Sequence, residues 1–210
     1  MTGREGMEFC NHLYVNIMDI QSSAQSIISP ALTRQGFLQP ERILAECGVK
    51  KSDRVADFGS GHGYYAIALG ELVGNEGKVF AIDIQKSALD VIRAQARADH
   101  LLQIEPIWAD LEVPNGSKIK TGSLDFVVIS DILYQSGQKE VILEEASRIL
   151  KPMGRIAVIE WNEQKTLLGP PASLRIPRET AKTLAARVGF SYEREIDAGT
   201  HHYSLLFQKK

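Results

Sequence analysis

Between Arg54 and Gly70 the chain reads Arg-Val-Ala-Asp-Phe-Gly-Ser-Gly-His-Gly-Tyr-Tyr-Ala-Ile-Ala-Leu-Gly, and no other stretch restricts the fold as much. Val55 to Phe58 is short, apolar and β-prone, with an acid, Asp57, near its end. Gly59, Gly61 and Gly63 follow at every second position, and Tyr64, Ile67, Ala68 and Leu69 then fall at helical spacing. The expectation is strand, tight glycine turn, helix. Glycine accepts positive φ and lets a ligand lie against bare main chain. Free N–H groups and the positive end of the helix dipole are expected to face whatever occupies the turn.

The rest of the chain supplies partners for that unit. Pro40 opens a helix that Gly48 closes. Lys78 to Asp83 and Ile104 to Ala109 read as strands, with a helix from Ser87 to Ala98 between them. Leu124 to Ser130 is a continuous apolar run, as in a strand buried on both faces of a parallel sheet. A helix from Lys139 to Leu150, a break at Lys151-Pro-Met-Gly154 and a fifth strand from Arg155 to Glu160 come next. After a helix from Pro177 to Val188, two strands (Phe190 to Ile196, His201 to Gln208) are joined so closely that they must be antiparallel. Alternating strands and helices imply an α/β fold with a parallel sheet. No internal repeat or linker divides the chain; residues 1–33 are mixed in pattern.

Composition excludes several classes. With 210 residues, 44% hydrophobic and 24% charged, the chain suits one soluble domain with a real core. A formal charge of −2 gives no overall basic field for nucleic acid. Cys10 and Cys47 have no metal-ligand spacing, so free thiols in a reducing compartment are expected and no metal site. The first residues lack the apolar core of a signal peptide, and no run is long enough to span a membrane. A cytoplasmic protein follows.

Three acids close successive strands: Asp57, Asp83 and Asp110. In open α/β sheets, ligands bind beyond the carboxyl ends of the strands near the first βα turn. There Asp83 can accept hydrogen bonds from both hydroxyls of a ribose, and Asp110 can meet an adenine amino group. A pyrophosphate turn usually reads G-x-G-x-x-G near the start of a domain. This one is G-x-G-x-G behind a leader of roughly fifty residues. Asp57 is also poor company for a pyrophosphate and good company for a cationic amino or sulfonium group.

Asp57 to Gly63, Val79 to Asp83, Ala109-Asp110, Leu124 to Ser130 and Ile149 to Arg155 together resemble the ordered motifs of class I S-adenosylmethionine-dependent methyltransferases. The match runs from about Pro40 to Lys210. Within that superfamily the chain is similar to the small group related to ubiquinone/menaquinone and arsenite methyltransferases. Ile159-Glu-Trp161, Gly169-Pro-Pro171, Arg175 and His202-Tyr203 resemble one branch of it. The resemblance implies a Rossmann-like fold with a seven-stranded sheet in the order 3-2-1-4-5-7-6, the last strand antiparallel and helices on both faces. It implies S-adenosylmethionine as cofactor, S-adenosylhomocysteine as product and a small-molecule methyl acceptor. Gly59, Ser60, Gly61 and Gly63 would hold the methionine part, with Asp57 near its amino group. Asp83 would bind the ribose, Ile84 would lie beside the adenine, Ala109, Asp110 and Leu111 would frame the base, and Ser130 would touch the methionine end. Residues 40–210 would form the cofactor domain, and 1–39 a leading helical or lid segment. Residues 162–177 are a second expected lid. Two cysteines cannot supply the thiolates of an arsenite enzyme. The Asn/Asp-Pro-Pro-Tyr/Phe stretch common in nucleobase amino-methylating enzymes is replaced by Ser130-Asp-Ile-Leu-Tyr134.

In that sheet order His201 and His202 come near Tyr134, Trp161 and Asn162. Neighbouring strand residues point oppositely, so one histidine faces the site. His202 matches the branch pattern and is the candidate base or substrate contact. Tyr134, Trp161 and Tyr203 are expected to line the acceptor pocket, with Arg175 a candidate for an anionic acceptor. Lys209-Lys210 reads as a solvated tail. Two alternatives remain at this stage. One is a non-catalytic S-adenosylmethionine-binding or regulatory subunit. The other is a nicotinamide oxidoreductase, disfavoured by the lack of a Tyr-x-x-x-Lys pair. Oligomeric state stays open.

Overall fold

The computed structural model describes residues 38–163 and 168–210. The readings for residues 1–37 and 164–167 lie outside them. Helix α1 spans Pro40–Glu46, with proline in its first turn and Gly48, at φ +85°, just beyond its end. Then follow β1 (Arg54–Phe58), α2 (Tyr64–Val73), β2 (Lys78–Asp83), α3 (Lys86–Ala98), β3 (Ile104–Trp108) and β4 (Leu124–Ser130). The chain continues through α4 (Lys139–Ile149), β5 (Leu150–Trp161), α5 (Arg178–Arg187), β6 (Phe190–Ile196) and β7 (His202–Lys209). The seven strands form one sheet in the order β3-β2-β1-β4-β5-β7-β6. β7 runs antiparallel to both its neighbours, and the other ladders are parallel.

The period of two along each strand divides the core between the two faces of the sheet. Ala56, Phe58, Val127, Ile129, Ile156, Val158, Leu205 and Phe207 face α4 and α5, meeting Ile142, Leu143, Ala146, Ala181 and Ala185. Val55, Val79, Val128, Ala157, Ile159 and Leu206 face α1, α2 and α3, meeting Ile43, Leu44, Leu69, Val73, Leu89 and Ile92. Both faces of β4 are therefore dry, as its unbroken apolar run predicts. No helix among the described residues is long and apolar enough to cross a membrane.

Two local readings change. β5 begins at Leu150, which pairs with Leu124, so the strand starts before the Pro-Met-Gly break. Residues 151–154 bulge out of the ladder, which resumes at Phe126 and Arg155. Lys209 is no solvated tail. Its Nζ donates to the carbonyls of Ser147 (2.6 Å) and Leu150 (2.9 Å), capping the C-terminal end of α4 where a cation is favoured.

Candidate functional site

Every strand except β7 delivers its carboxyl end to one rim of the sheet. The turn after β1 is held there by β2. Gly59 N–H and Ser60 N–H both donate to the Ile82 carbonyl, at 2.9 and 3.0 Å. Gly61 N–H donates to Asp83 Oδ2 at 2.8 Å, and Gly63 N–H to the Ser60 carbonyl at 2.8 Å. The expectation of free amides in the turn is thus corrected at these four positions: the protein's own acceptors use them. A Cβ on Gly59 would lie 2.1 Å from Ile132 Cγ2, whereas one on Gly61 would meet nothing within 4 Å. Gly59 is therefore required by close packing, and Gly61 presents bare main chain to open space.

Asp83 is buried, its Oδ1 accepting the Gln85 N–H at 2.8 Å. Each oxygen thus holds one backbone donor and keeps a lone pair for another. Asp57 is 1% exposed and its Oδ2 has no hydrogen-bond partner. Burial, and then the nearby charge of Asp83, push its carboxyl up to about 8 against the opposing pull of the Ala66 N–H. Ser60 Oγ is likewise buried without a partner. Beside Asp83, the Ala109 N–H donates to the Asp83 carbonyl at 3.1 Å. Ile84 is exposed on this rim, its carbonyl accepting Trp108 Nε1–H at 2.9 Å, and Lys86 Nζ lies 4.3 Å from the Trp108 ring. Ala109 and Leu111 are buried, while Asp110 is exposed and accepts the Glu112 N–H at 2.8 Å.

A second group gathers where β4 and β5 end and β7 begins. After Ser130 the chain turns through Asp131 at φ +55°, with the Asp131 N–H bonded to the Ile159 carbonyl at 3.0 Å. Asp131 Oδ2 stands 3.2 Å from His202 Nε2. The pair is close but not aligned as a hydrogen bond, because Nε2 has no such partner. The Trp161 and His202 rings lie 4.2 Å apart, centroid to centroid, tilted by 43°. Glu160 is fully buried; its Oε1 accepts the Leu133 N–H at 2.8 Å and its Oε2 has no partner. Burial, then the charge of Asp131, raises its carboxyl well above the usual range. Tyr65, raised in the same sense mainly by burial, completes the group from α2.

His202 and Trp161 are thus brought together, and Ser130 adjoins them through Asp131. Tyr203 and Arg175 are not brought to this rim as pocket walls. Tyr203 pairs with Glu160, on the opposite face from His202, and its hydroxyl donates to the Ile176 carbonyl at 2.8 Å. It is 1% exposed, a core residue. Arg175 is also buried, donating to the carbonyls of Asn162 (2.9 Å), Leu168 (2.8 Å) and Pro170 (3.0 Å). Its guanidinium ties the described part of residues 162–177 together and is no open anion site. Tyr134 is partly buried against the α4–α5 core. Sequence reasoning missed Trp108, Asp131 and Glu160. Glu160 carried a signal nonetheless, a lone acid at the end of an apolar strand.

A family model described as a methyltransferase domain matches residues 49–191. A demethylmenaquinone methyltransferase of Oceanobacillus iheyensis is 29% identical over 163 residues, 77% of this chain and 65% of that protein. A ubiquinone/menaquinone biosynthesis C-methyltransferase, UbiE, of Francisella tularensis subsp. novicida is 32% identical over 124 residues, 59% of this chain and 48% of that protein. The chain thus spans less than two thirds of the length of either relative. Among solved structures, a SAM-dependent methyltransferase from Aquifex aeolicus superposes with a TM-score of 0.77 at 24% identity, covering 90% of this chain and 98% of that one. The chain belongs to the methyltransferase-domain family, and its sheet has the strand order expected of that fold.

Proposed function

We propose that this protein transfers a methyl group from S-adenosylmethionine to a small-molecule acceptor, leaving S-adenosylhomocysteine. The observation that carries this reading is the state of the glycine turn. A pyrophosphate needs unengaged N–H groups, and those of Gly59, Ser60, Gly61 and Gly63 are bonded within the protein. What the turn offers is the reverse: lone pairs on Asp83, one unpartnered buried carboxyl oxygen on Asp57, an unpartnered hydroxyl on Ser60 and bare main chain at Gly61. Such a set fits a ligand rich in donors and positive charge, with ribose hydroxyls on Asp83 and an ammonium near Asp57. Ile84 and the Trp108 ring would flank an adenine, with Ala109, Asp110 and Leu111 at its edge.

When bound, the sulfonium supplies a methyl carbon whose bond to sulfur breaks with both electrons passing to sulfur. The chain's own part is to align the acceptor, exclude water and receive any proton the acceptor loses. His202 is the candidate for the last role. The relatives' names support a quinone-type acceptor for this chain. We read the setting as cytoplasmic and the chain as residues 1–39 leading into a cofactor domain at 40–210.

Titration calorimetry with S-adenosylmethionine, S-adenosylhomocysteine and NADH tests the cofactor half. Binding of the first two and not the third is expected. Binding of NADH alone overturns the reading. S-adenosylhomocysteine formation over an acceptor panel separates an enzyme from a non-catalytic binding subunit.

A further inference from the structure

After β4 the chain turns through Asp131, Ile132 and Leu133, and β5 holds the first and the last of them. The Asp131 N–H donates to the Ile159 carbonyl at 3.0 Å, and the Leu133 N–H donates to Glu160 Oε1 at 2.8 Å. Ile132, between them, lies against the turn after β1: a Cβ on Gly59 would stand 2.1 Å from its Cγ2 and 3.3 Å from its Cδ1. Gly59 therefore has two supports. Its N–H is fixed to the Ile82 carbonyl of β2 at 2.9 Å, and its bare Cα meets Ile132. Glu160 anchors the second support. It is fully buried, and its Oε2 has no partner. Burial, and then the charge of Asp131, favours its protonated form, against the Leu133 and Tyr134 amides and the charge of Lys139. A buried carboxyl with one oxygen idle is a costly way to hold a loop. The residue it holds adjoins the one that braces the glycine turn.

We propose that Glu160 is a positioning residue for the donor-binding turn: through Leu133 it fixes Ile132, and Ile132 fixes Gly59 and the main chain leading to Gly61. The proposal rests on the S-adenosylmethionine reading above, which gives that turn its ligand. Close-packed contacts transmit displacement because they hold no slack, and the Ile132–Gly59 contact has room for no further atom. A loop released from β5 lets Ile132 withdraw. The turn then samples more conformations, and a ligand must reorder it at an entropic cost. The route runs through one hydrogen bond and one packing contact, so no charge on Glu160 is required. A glutamine, whose carbonyl oxygen can accept the Leu133 N–H, should serve equally. A leucine keeps most of the bulk and supplies no acceptor. Donor and product meet the same turn, so both should lose affinity together.

The test uses the full chain, with S-adenosylhomocysteine as probe, in titration calorimetry well below every unfolding midpoint. Glu160→Leu is expected to weaken binding about 10-fold, and Glu160→Gln to stay within about twofold of the wild type. Ile132→Ala removes the brace itself and should weaken binding about as much as Glu160→Leu. In the Ile132→Ala background, Glu160→Leu should then cost no more than about twofold further, because both act along one route. Without ligand, the 15N–1H signals of Gly59 and Ser60 should shift in Glu160→Leu and not in Glu160→Gln. A merely structural Glu160 would lower the unfolding midpoint, confine the shifted amides to residues 131–136 and leave affinity unchanged. Affinity of Glu160→Leu within about twofold of the wild type overturns the proposal, and so does a double variant whose two losses multiply. Should Glu160→Leu fail to fold, Ile132→Ala decides: unchanged affinity there overturns the proposal as well. Absence of S-adenosylhomocysteine binding to the wild type instead removes the cofactor reading, while the Gly59 signal still reports the brace.

Discussion

Asp83 accepts the backbone N–H of Gly61 at 2.8 Å, so the acid that ends β2 is built into the turn that follows β1. One side chain thereby fixes the turn and, on the proposed reading, would also take the ribose hydroxyls.

Removing that carboxylate should harm two properties together. Asp83→Ala leaves the Gly61 N–H without its partner and should cost about 1–3 kcal/mol of stability. It should also weaken S-adenosylmethionine binding by roughly 100-fold or more, since two hydroxyl bonds to a charged group are lost. Asp83→Asn keeps the shape and one carbonyl oxygen, so its unfolding midpoint should move less than its affinity. Calorimetry and thermal unfolding on both variants check this; intact affinity in Asp83→Ala would place the nucleoside elsewhere.

On the proposed reading, Asp57 should link ligand binding to pH. Its carboxyl is raised from 3.8 to about 8 in the folded protein, so between those values the folded state holds the proton that the unfolded state has lost. Stability contributed by this group therefore falls as pH rises from about 4 to about 8. Asp57→Asn should flatten that descent and be the more stable protein above pH 8, while binding S-adenosylmethionine more weakly. A cation beside Asp57 favours the ionised form, so binding to the wild type at pH 7 should release close to one proton. Calorimetry in buffers of different ionisation enthalpy reads that number directly.

Two glycines in the same turn should respond differently to one methyl group. Gly59→Ala drives Cβ into Ile132 at 2.1 Å and should destabilise by roughly 3 kcal/mol or more. Gly61→Ala meets nothing and should cost only about 1 kcal/mol for its positive φ. If Gly61 is where the ligand lies against main chain, the second variant folds yet binds S-adenosylhomocysteine poorly. Circular dichroism melts paired with calorimetry separate the two outcomes.

Arg175 offers a test of burial against charge. Its guanidinium serves three carbonyls through fixed N–H directions, a geometry that Lys cannot copy. Arg175→Lys should therefore lose nearly as much stability as Arg175→Met, about 2–4 kcal/mol, and both should be cut faster by protease within residues 162–175. A lysine variant that kept full resistance would return Arg175 to the role of a simple cation.

The sheet was legible because its central strands are apolar on both faces and its turns carry glycine. The rim acids Asp57 and Asp83 were legible because charge rarely ends an apolar strand without a use. The acceptor side was less so. Period-two alternation forbids His202 and Tyr203 from sharing a face, yet both were assigned to the pocket; the register with Trp161 and Glu160 separates them. The engaged amides of the turn, the buried carbonyl set around Arg175 and the left-handed Asp131 all depend on contacts between distant segments. No local pattern announces such contacts.

The hairpin of β6 and β7 has a further consequence for how the molecule is made. β6 joins the sheet only through β7, and β7 brings His202 to Asp131. A nascent chain that has emerged as far as β5 already contains β1, β2 and the glycine turn, the half proposed to hold the nucleoside. The imidazole arrives only when the closing hairpin docks, so on the proposed reading a donor could be held before it could be used.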